Sequence, residues 1–178
     1  ENTHHMLESA VIKSVAYGDI FNYPLTLSEI HRYLIEASAS VDRVEEITNH
    51  LIKKGKLVKI DDFYCFAGRE SNIQNRLTNA DLAANVWPDA VKYGQMIGEL
   101  PFVRMVAITG SLAVDNLDPN GDIDYMIVTE PQYLWLCRLF IIGIVKWVQR
   151  KGFTLCPNYI VTENALTVEQ ENLFTARE

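Results

Sequence analysis

The chain has 178 residues, of which 16 are Lys or Arg and 23 are Asp or Glu, so its formal net charge is −7. With 48% hydrophobic and 10% aromatic residues it has the composition of a globular protein, which excludes the disordered, collagen-like and coiled-coil classes. A net acidic chain is not drawn to nucleic acid or to an anionic membrane by its overall charge. Nucleic-acid binding would therefore need a local basic patch, and we expect no membrane partner.

The cysteines Cys65, Cys137 and Cys156 are odd in number, lie far apart and each stand in an apolar run. The sequence has no CxxC pair and no Cys/His cluster, so neither a zinc site nor a disulfide framework is indicated. We expect buried free thiols and a cytoplasmic protein. His4 and His5 stand in a polar start, and we do not predict a metal role for them.

The first third of the chain predicts three helices. Apolar residues recur with helical spacing over residues 6–17, and Gly18 ends that helix. Thr26 and Glu29 fit a capping box, which predicts a second helix through about Ala37. A third helix is predicted from a cap at Ser40 through Lys54. Their expected inward residues are Ile30, Tyr33 and Leu34 in the second helix, and Val41, Val44, Ile47, Leu51 and Ile52 in the third.

After these helices, residues 56–60 and 63–66 predict two short strands joined as a hairpin at Asp61 and Asp62. This order, together with the run YGDIFNYPLTLSEI at residues 17–30, resembles winged helix-turn-helix modules, and we assign residues 1–68 to such a domain. In a DNA-binding member the third helix would enter the major groove with its exposed face, which here carries Arg43, Asn49, His50 and Lys53.

The charge of this module argues against a strong DNA reader. Residues 43–59 hold five basic and two acidic side chains, a local charge of +3, while Asp61 and Asp62 stand at the wing tip. We therefore favour a protein-contact or scaffold role for the module, and DNA is the less favoured alternative.

Residues 69–100 predict connecting helices, which Pro88 should kink or split. The remainder, residues 101–178, predicts a strand at 102–109, a short helical segment at 112–116, a strand at 122–128, a helix at 132–151 and a strand at 153–161. The apolar run at residues 134–148 carries Arg138 and Lys146 and is shorter than a membrane span, so we predict a buried helix. Residues 168–178 still carry Leu173 and Phe174, so we expect this domain to be truncated at its C-terminus.

The strongest motif begins where the strand at 102–109 ends. Gly110 and Ser111 are followed after ten residues by Asp122-Ile-Asp124-Tyr. This fits the pattern hG[GS], nine to thirteen residues, Dh[DE]h, and the segment resembles the DNA polymerase β superfamily of nucleotidyltransferases. The resemblance implies a small mixed-sheet α/β domain, so the whole chain is expected to be α+β.

The residue types of the motif suit phosphate and metal chemistry. Asp122 and Asp124 are two apart on a strand, so their side chains share a face with Cα atoms about 6.5 Å apart. Their carboxylates can hold one or two hard cations, Mg²⁺ by preference. Gly110 allows close approach of a phosphate to the backbone, and Ser111 adds a hydroxyl and amide donors. We predict Asp122 and Asp124 as catalytic metal ligands, and Gly110 and Ser111 as contacts to the triphosphate.

The family pattern also asks for a third carboxylate on a later strand. The position that aligns by context is Asn158, which cannot act as a base and removes one negative charge from the metal pair. Glu163, which follows the strand predicted at residues 153–161, is a second candidate for the third carboxylate. Asp115 and Asp118, in the intervening loop, are further minor candidates for contact with substrate or metal.

Three functions remain open from the sequence. The first is Mg²⁺-dependent transfer of a nucleoside monophosphate from a nucleoside triphosphate to a hydroxyl of a small molecule, protein or RNA. The second is a catalytically impaired nucleotide-binding or regulatory module. The third is a winged-helix regulator whose C-terminal domain is a scaffold. The presence of Gly110, Ser111, Asp122 and Asp124 together favours the first, and Asn158 favours the second.

Overall fold

The structure is a computed structural model that describes residues 2–166, and it has a mixed α+β architecture as expected. The chain divides into two compact units, Glu1–Thr78 and Asn79–Glu178, called here the N-terminal unit and the C-terminal unit. Their division falls inside the segment predicted to connect two domains. The segment predicted to continue the fold at residues 168–178 lies outside the described residues.

The elements follow one another as α1 (Asn2–Ile20), β1 (Leu25–Thr26), α2 (Leu27–Arg32), α3 (Val41–Lys53), β2 (Leu57–Ile60), β3 (Phe63–Phe66), α4 (Ser71–Gly98), β4 (Val103–Thr109), α5 (Gly110–Ala113), β5 (Ile123–Thr129), α6 (Leu134–Gln149) and β6 (Leu155–Thr162). A short 3₁₀ turn, Pro131–Tyr133, precedes α6.

The N-terminal unit packs helices α1, α2 and α3 with an antiparallel sheet of order β1-β3-β2. The predicted hairpin of β2 and β3 is confirmed, with Ile60 opposite Phe63. Strand β1 was not predicted, because two residues are too few to show an alternating pattern; Leu25 pairs with Tyr64. Residues at most 1% exposed form the centre of its core: Val11, Ile30, Val44, Ile47, Leu51, Leu57 and Tyr64.

The predicted starts of α2 and α3 are confirmed by their caps. The hydroxyl of Thr26 accepts a hydrogen bond from the backbone N–H of Glu29, and the Glu29 carboxylate accepts one from the N–H of Thr26 at 2.8 Å. The hydroxyl of Ser40 accepts from the N–H of Arg43. These bonds satisfy amide donors that a helix leaves free at its N-terminus.

The helix ends differ more from the prediction. Helix α1 reaches from Asn2 to Ile20, whereas α2 stops at Arg32, well before Ala37. Tyr33, the C-cap of α2, is 42% exposed, and Val41, the first residue of α3, is 45% exposed, so the expectation that both face inward was wrong. Each stands at a helix terminus, outside the buried stripe of its helix.

The C-terminal unit has a mixed sheet of order β4-β5-β6, antiparallel between β4 and β5 and parallel between β5 and β6. On one face, Ile123, Tyr125 and Ile127 of β5 are buried in a core that also includes Ala90, Tyr93 and Ile97 of α4 and Cys137, Ile141 and Val148 of α6. The Tyr125 hydroxyl donates to the carbonyl of Ala90 at 2.6 Å. Because strand side chains alternate, the opposite face carries Asp124 and Met126.

Helix α4 runs without interruption through Pro88, so the predicted split does not occur. A proline inside a helix leaves unpaired the carbonyl four residues before it. Here that carbonyl belongs to Ala84, and both Ala84 and Pro88 are exposed. Water can therefore satisfy the carbonyl, which lowers the cost of keeping the helix intact.

The prediction that α6 is a buried helix was wrong, because only one face of it is buried. Cys137, Ile141 and Val148 are buried, but Trp135 is 74% exposed and Leu139 is 64% exposed. By length and composition alone, residues 131–149 also meet the requirements of a membrane span, which is weak evidence. Since one face of α6 lies in the core of the C-terminal unit, that face is not available to lipid.

Candidate functional site

The turn between β4 and α5 lies against the side chain of Asp124. Gly110 begins α5 with φ +67°, and a Cβ atom added to it would lie 2.2 Å from Oδ2 and 3.0 Å from Cγ of Asp124. That separation is far inside van der Waals contact, and the positive φ is itself unfavourable for other residues. Glycine is therefore required here for two reasons, and the backbone of Gly110 remains exposed.

The two motif aspartates lie at the start of β5. Asp122 immediately precedes the strand, and Asp124 is its second residue. Ile123 and Tyr125 alternate with them and are buried, so burial of the apolar pair turns the acidic pair to the opposite face. Asp124 lies opposite Thr109 in the antiparallel pair and opposite Cys156 in the parallel pair. Both carboxylates are partly buried.

Cys156 is the functional candidate that the sequence interpretation missed. The carboxylates of Asp122 and Asp124 and the sulfur of Cys156 offer ligand atoms that all lie within 4.8 Å of one another. Asp124 and Cys156 are joined by a side-chain hydrogen bond. The signal in the sequence was the position of Cys156 near the start of β6, but a cysteine in an apolar run more often indicates a core residue.

The electrostatics of this group follow from partial burial and from its negative charges. Burial raises the pKa of Asp124, the hydrogen bond from Cys156 opposes that shift, and the charge of Asp122 adds to it. Burial, followed by the interactions with the two aspartates, raises the pKa of Cys156 to about 11. The thiol is thus protonated at neutral pH and donates to Asp124. A bound cation would reverse this balance by favouring the charged carboxylates.

The register of β6 separates Asn158 from the position assigned to it. Cys156 pairs with Asp124 and Tyr159 pairs with Met126, so Pro157 and Asn158 together stand opposite Tyr125. Pro157 has no N–H to give to the ladder, and an irregularity that takes up an extra residue is expected there. Cys156, rather than Asn158, therefore occupies the strand position beside Asp124.

The three carboxylates that were minor candidates for the site, those of Glu163, Asp115 and Asp118, belong to residues with contacts elsewhere in the structure. Glu163 donates its backbone N–H to Thr129, at the far end of β5 and about 17 Å along the strand from Asp124. Asp115 accepts a hydrogen bond from the indole N–H of Trp87 at 2.9 Å, and Asp118 accepts one from Asn79. These two contacts anchor the loop before β5 to α4.

One polar atom of the site lacks a protein partner. The hydroxyl oxygen of Thr109 is shielded from solvent and makes no hydrogen bond with any described residue. Thr109 lies directly across the ladder from Asp124, so its side chain is on the same face as the aspartates. The carboxylate and hydroxyl oxygens are hard donors that suit Mg²⁺, whereas the thiol of Cys156 is a soft donor that does not.

The surface of α3 that would face DNA in a DNA-binding member is partly engaged within the N-terminal unit. Arg43 forms an ion pair with Glu46, and Nε2 of His50 lies 3.1 Å from a carboxylate oxygen of Glu8. Asn49 and Lys53 are exposed. Two of the four predicted contacts thus already face acidic side chains, which reduces the positive potential available to a phosphate backbone.

Comparison with known proteins does not assign the chain to a family. No protein-family model matches the chain, and neither the curated proteins nor the solved structures contain a match to it.

Proposed function

We propose that the chain is a nucleotidyltransferase-like protein of the DNA polymerase β type, with a winged helix in its N-terminal unit. It transfers a nucleoside monophosphate from a nucleoside triphosphate to a hydroxyl acceptor with the help of Mg²⁺. The proposal is carried by the close approach of Gly110 to Asp124, which brings the two halves of the sequence motif to one end of one sheet.

The arrangement of elements supports this assignment. The sheet of the C-terminal unit packs one face against the core and leaves its acidic face partly exposed at Asp122 and Asp124. The neighbouring carboxylates and the exposed glycine turn are accessible to a ligand from solvent. In the N-terminal unit, three helices followed by the β2–β3 hairpin support the winged helix.

Each site residue has a distinct task in the proposed reaction. Asp122 and Asp124 hold Mg²⁺, which when bound supplies polarisation of the phosphate oxygens. The backbone of Gly110 and the hydroxyl of Ser111 orient the β- and γ-phosphates. The acceptor oxygen attacks the α-phosphorus, the bond to the bridging oxygen breaks, and pyrophosphate leaves while the hydroxyl proton passes to solvent. Positioning and electrostatic stabilisation supply most of the rate.

The acceptor is a small molecule, a protein or RNA. Double-stranded DNA is the less favoured partner, because Arg43 and His50 of α3 already lie beside Glu46 and Glu8.

A second candidate function is nucleotide binding without transfer. It is favoured by Cys156, which stands beside Asp124 where a third carboxylate would complete the metal site. A protonated thiol neither binds Mg²⁺ well nor accepts the proton of the acceptor hydroxyl.

Calorimetry with Mg²⁺ and each of the four nucleoside triphosphates tests both candidates. We expect binding of at least one nucleotide and its loss in the double variant Asp122→Ala/Asp124→Ala. Release of pyrophosphate on incubation with a pool of acceptors then distinguishes transfer from binding alone. Absence of binding heat with every nucleotide would refute both functions.

A further inference from the structure

A second group of ligating side chains lies in the N-terminal unit, where α1 packs beside α3. His4 and Glu8 are four residues apart on α1, so they share one face of that helix. His50 reaches the same place from α3. The ligand atoms of these three residues lie within 4.8 Å of one another.

The separations fit the geometry of a bound zinc-class cation. With Zn–N and Zn–O distances of about 2.1 Å, two ligands of a tetrahedral site lie about 3.4 Å apart. Nε2 of His50 is 3.1 Å from Oε1 of Glu8, and Nδ1 of His4 is 3.9 Å from the same oxygen. Nδ1 of His5 lies 3.7 Å from Oε2 of Glu8. The nitrogen atoms of His4 and His50 thus lie around Glu8 at separations close to those between two ligands of one zinc ion.

An ion pair with Lys54 does not account for the whole group. Glu8 is only 7% exposed, and its Oε1 lies 2.9 Å from Nζ of Lys54, so one ammonium group already balances its charge. Three imidazoles gather around the same carboxylate in addition. The Lys54 side chain is 42% exposed, so it can turn into solvent when another cation binds.

We propose that His4, Glu8 and His50 form a site for Zn²⁺ or a similar transition-metal ion that joins α1 to α3. Two imidazoles and one carboxylate are a ligand set that zinc commonly takes, whereas Mg²⁺ prefers a shell of oxygens. The site belongs to the N-terminal unit and shares no residue with the group of aspartates in the C-terminal unit. It links the N-terminal segment to the helix that the winged-helix assignment would place against a partner.

The four histidines of the chain provide a site-resolved test, because His31 lies outside the cluster and contacts the carbonyl of Ala39. Zn²⁺ alone is titrated into the full chain while the histidine side-chain resonances are followed by NMR. We expect the signals of His4 and His50 to change at stoichiometric Zn²⁺ and that of His31 to stay in place. This readout distinguishes the proposed site from zinc bound at Asp122, Asp124 and Cys156, because that group contains no histidine.

Variants then identify the ligands. His50→Gln should weaken zinc binding at this site by about tenfold or more, and His31→Gln should leave it unchanged. Lys54→Met should tighten binding because it removes the competing ammonium, whereas Lys53→Met should not. Unchanged histidine signals in the wild-type chain, or equal zinc affinity in Lys54→Met and Lys53→Met, would overturn the proposal.

Discussion

Gly110 and Asp124 constrain each other at the candidate site. The carboxylate occupies the space where any other side chain at position 110 would place its Cβ atom. From the motif alone, the glycine was interpreted as a means of bringing phosphate close to the backbone. The structure adds a second requirement, since the same glycine makes room for the carboxylate of Asp124, the proposed metal ligand.

Gly110→Ala is therefore expected to lose about 1–3 kcal/mol of stability and to abolish nucleotide binding, because Asp124 must be displaced and the backbone is strained. Gly143→Ala is the matched control. Gly143 lies within α6, and an added Cβ there meets no atom within 4 Å. It should stabilise the chain by up to about 1 kcal/mol. Urea denaturation and calorimetry measure both effects, and equal behaviour of the two variants would contradict the steric argument.

Cys156 allows a direct test of the third site position. Cys156→Asp places a carboxylate beside Asp124 and should raise Mg²⁺ affinity about tenfold, equivalent to about 1.4 kcal/mol. Asn158→Asp is the control, because Asn158 is exposed within the irregular part of β6. The measurement is Mg²⁺ titration of folded variants, with thermal unfolding as the check on structure. Should Asn158→Asp strengthen binding while Cys156→Asp does not, the third position would belong to Asn158.

Among the elements, helix α6 shows that an apolar run in the sequence need not form a buried helix. One stripe of the helix is buried in the core, and most of the other large apolar side chains, among them Trp135 and Leu139, are exposed. Hydropathy alone cannot separate these two cases, since the buried and the exposed apolar residues of the run have similar hydropathy. Packing against a sheet on one side decides which of them are buried.

Two substitutions of similar size on α6 should therefore differ in cost. Ile141→Ala removes a fully buried side chain and should cost about 2–5 kcal/mol of unfolding free energy. Leu139→Ala removes a side chain that is 64% exposed and should change stability by less than about 0.5 kcal/mol. Chemical denaturation of both variants measures the difference. A cost for Leu139→Ala as large as that for Ile141→Ala would mean that the exposed face is covered in solution.

At the scale of the whole molecule, the two units carry opposite electrostatic responses to acid. In the N-terminal unit, burial alone would raise the pKa of Glu29, but hydrogen bonds from Arg76 and from the backbone of Thr26 outweigh it and lower the pKa below its ordinary value of 4.5. The Lys54 hydrogen bond likewise lowers the pKa of Glu8. In the C-terminal unit, burial raises the pKa of Asp124.

A lowered carboxyl pKa stabilises the folded state above the unfolded-state pKa, and this stabilisation is lost as the pH falls through the folded-state value. We therefore expect the N-terminal unit to lose stability progressively below about pH 4.5. The pKa of Asp124 is raised in the folded state, so protonation of Asp124 as the pH falls should stabilise the C-terminal unit relative to its unfolded state. Glu29→Gln should reduce the acid dependence of the N-terminal unit, and Glu45→Gln, at an exposed position of α3, serves as its control. Urea titrations at several pH values, followed at amide signals of each unit, test this order; earlier acid unfolding of the C-terminal unit would contradict it.

Several local features of this protein follow from short stretches of its sequence. The capping box at Thr26, the cap at Ser40 and the β2–β3 hairpin depend on neighbouring residues and were predicted correctly. The motif of Gly110, Ser111, Asp122 and Asp124 was identified by its resemblance to a family pattern, and the structure places its parts at the end of β4 and the start of β5.

Only the tertiary structure decided which distant residues meet. The pairing of β5 with β6 brings Cys156 beside Asp124. The extra residue at Pro157 and Asn158 shifts the register of β6, so counting residues along the strand does not identify the partner of Asp124. In the same way, His4, Glu8 and His50 come together because α1 and α3 are packed in one core, although more than 40 residues separate Glu8 from His50. Sequence patterns record the environment of each residue, whereas strand register and helix packing determine its partners.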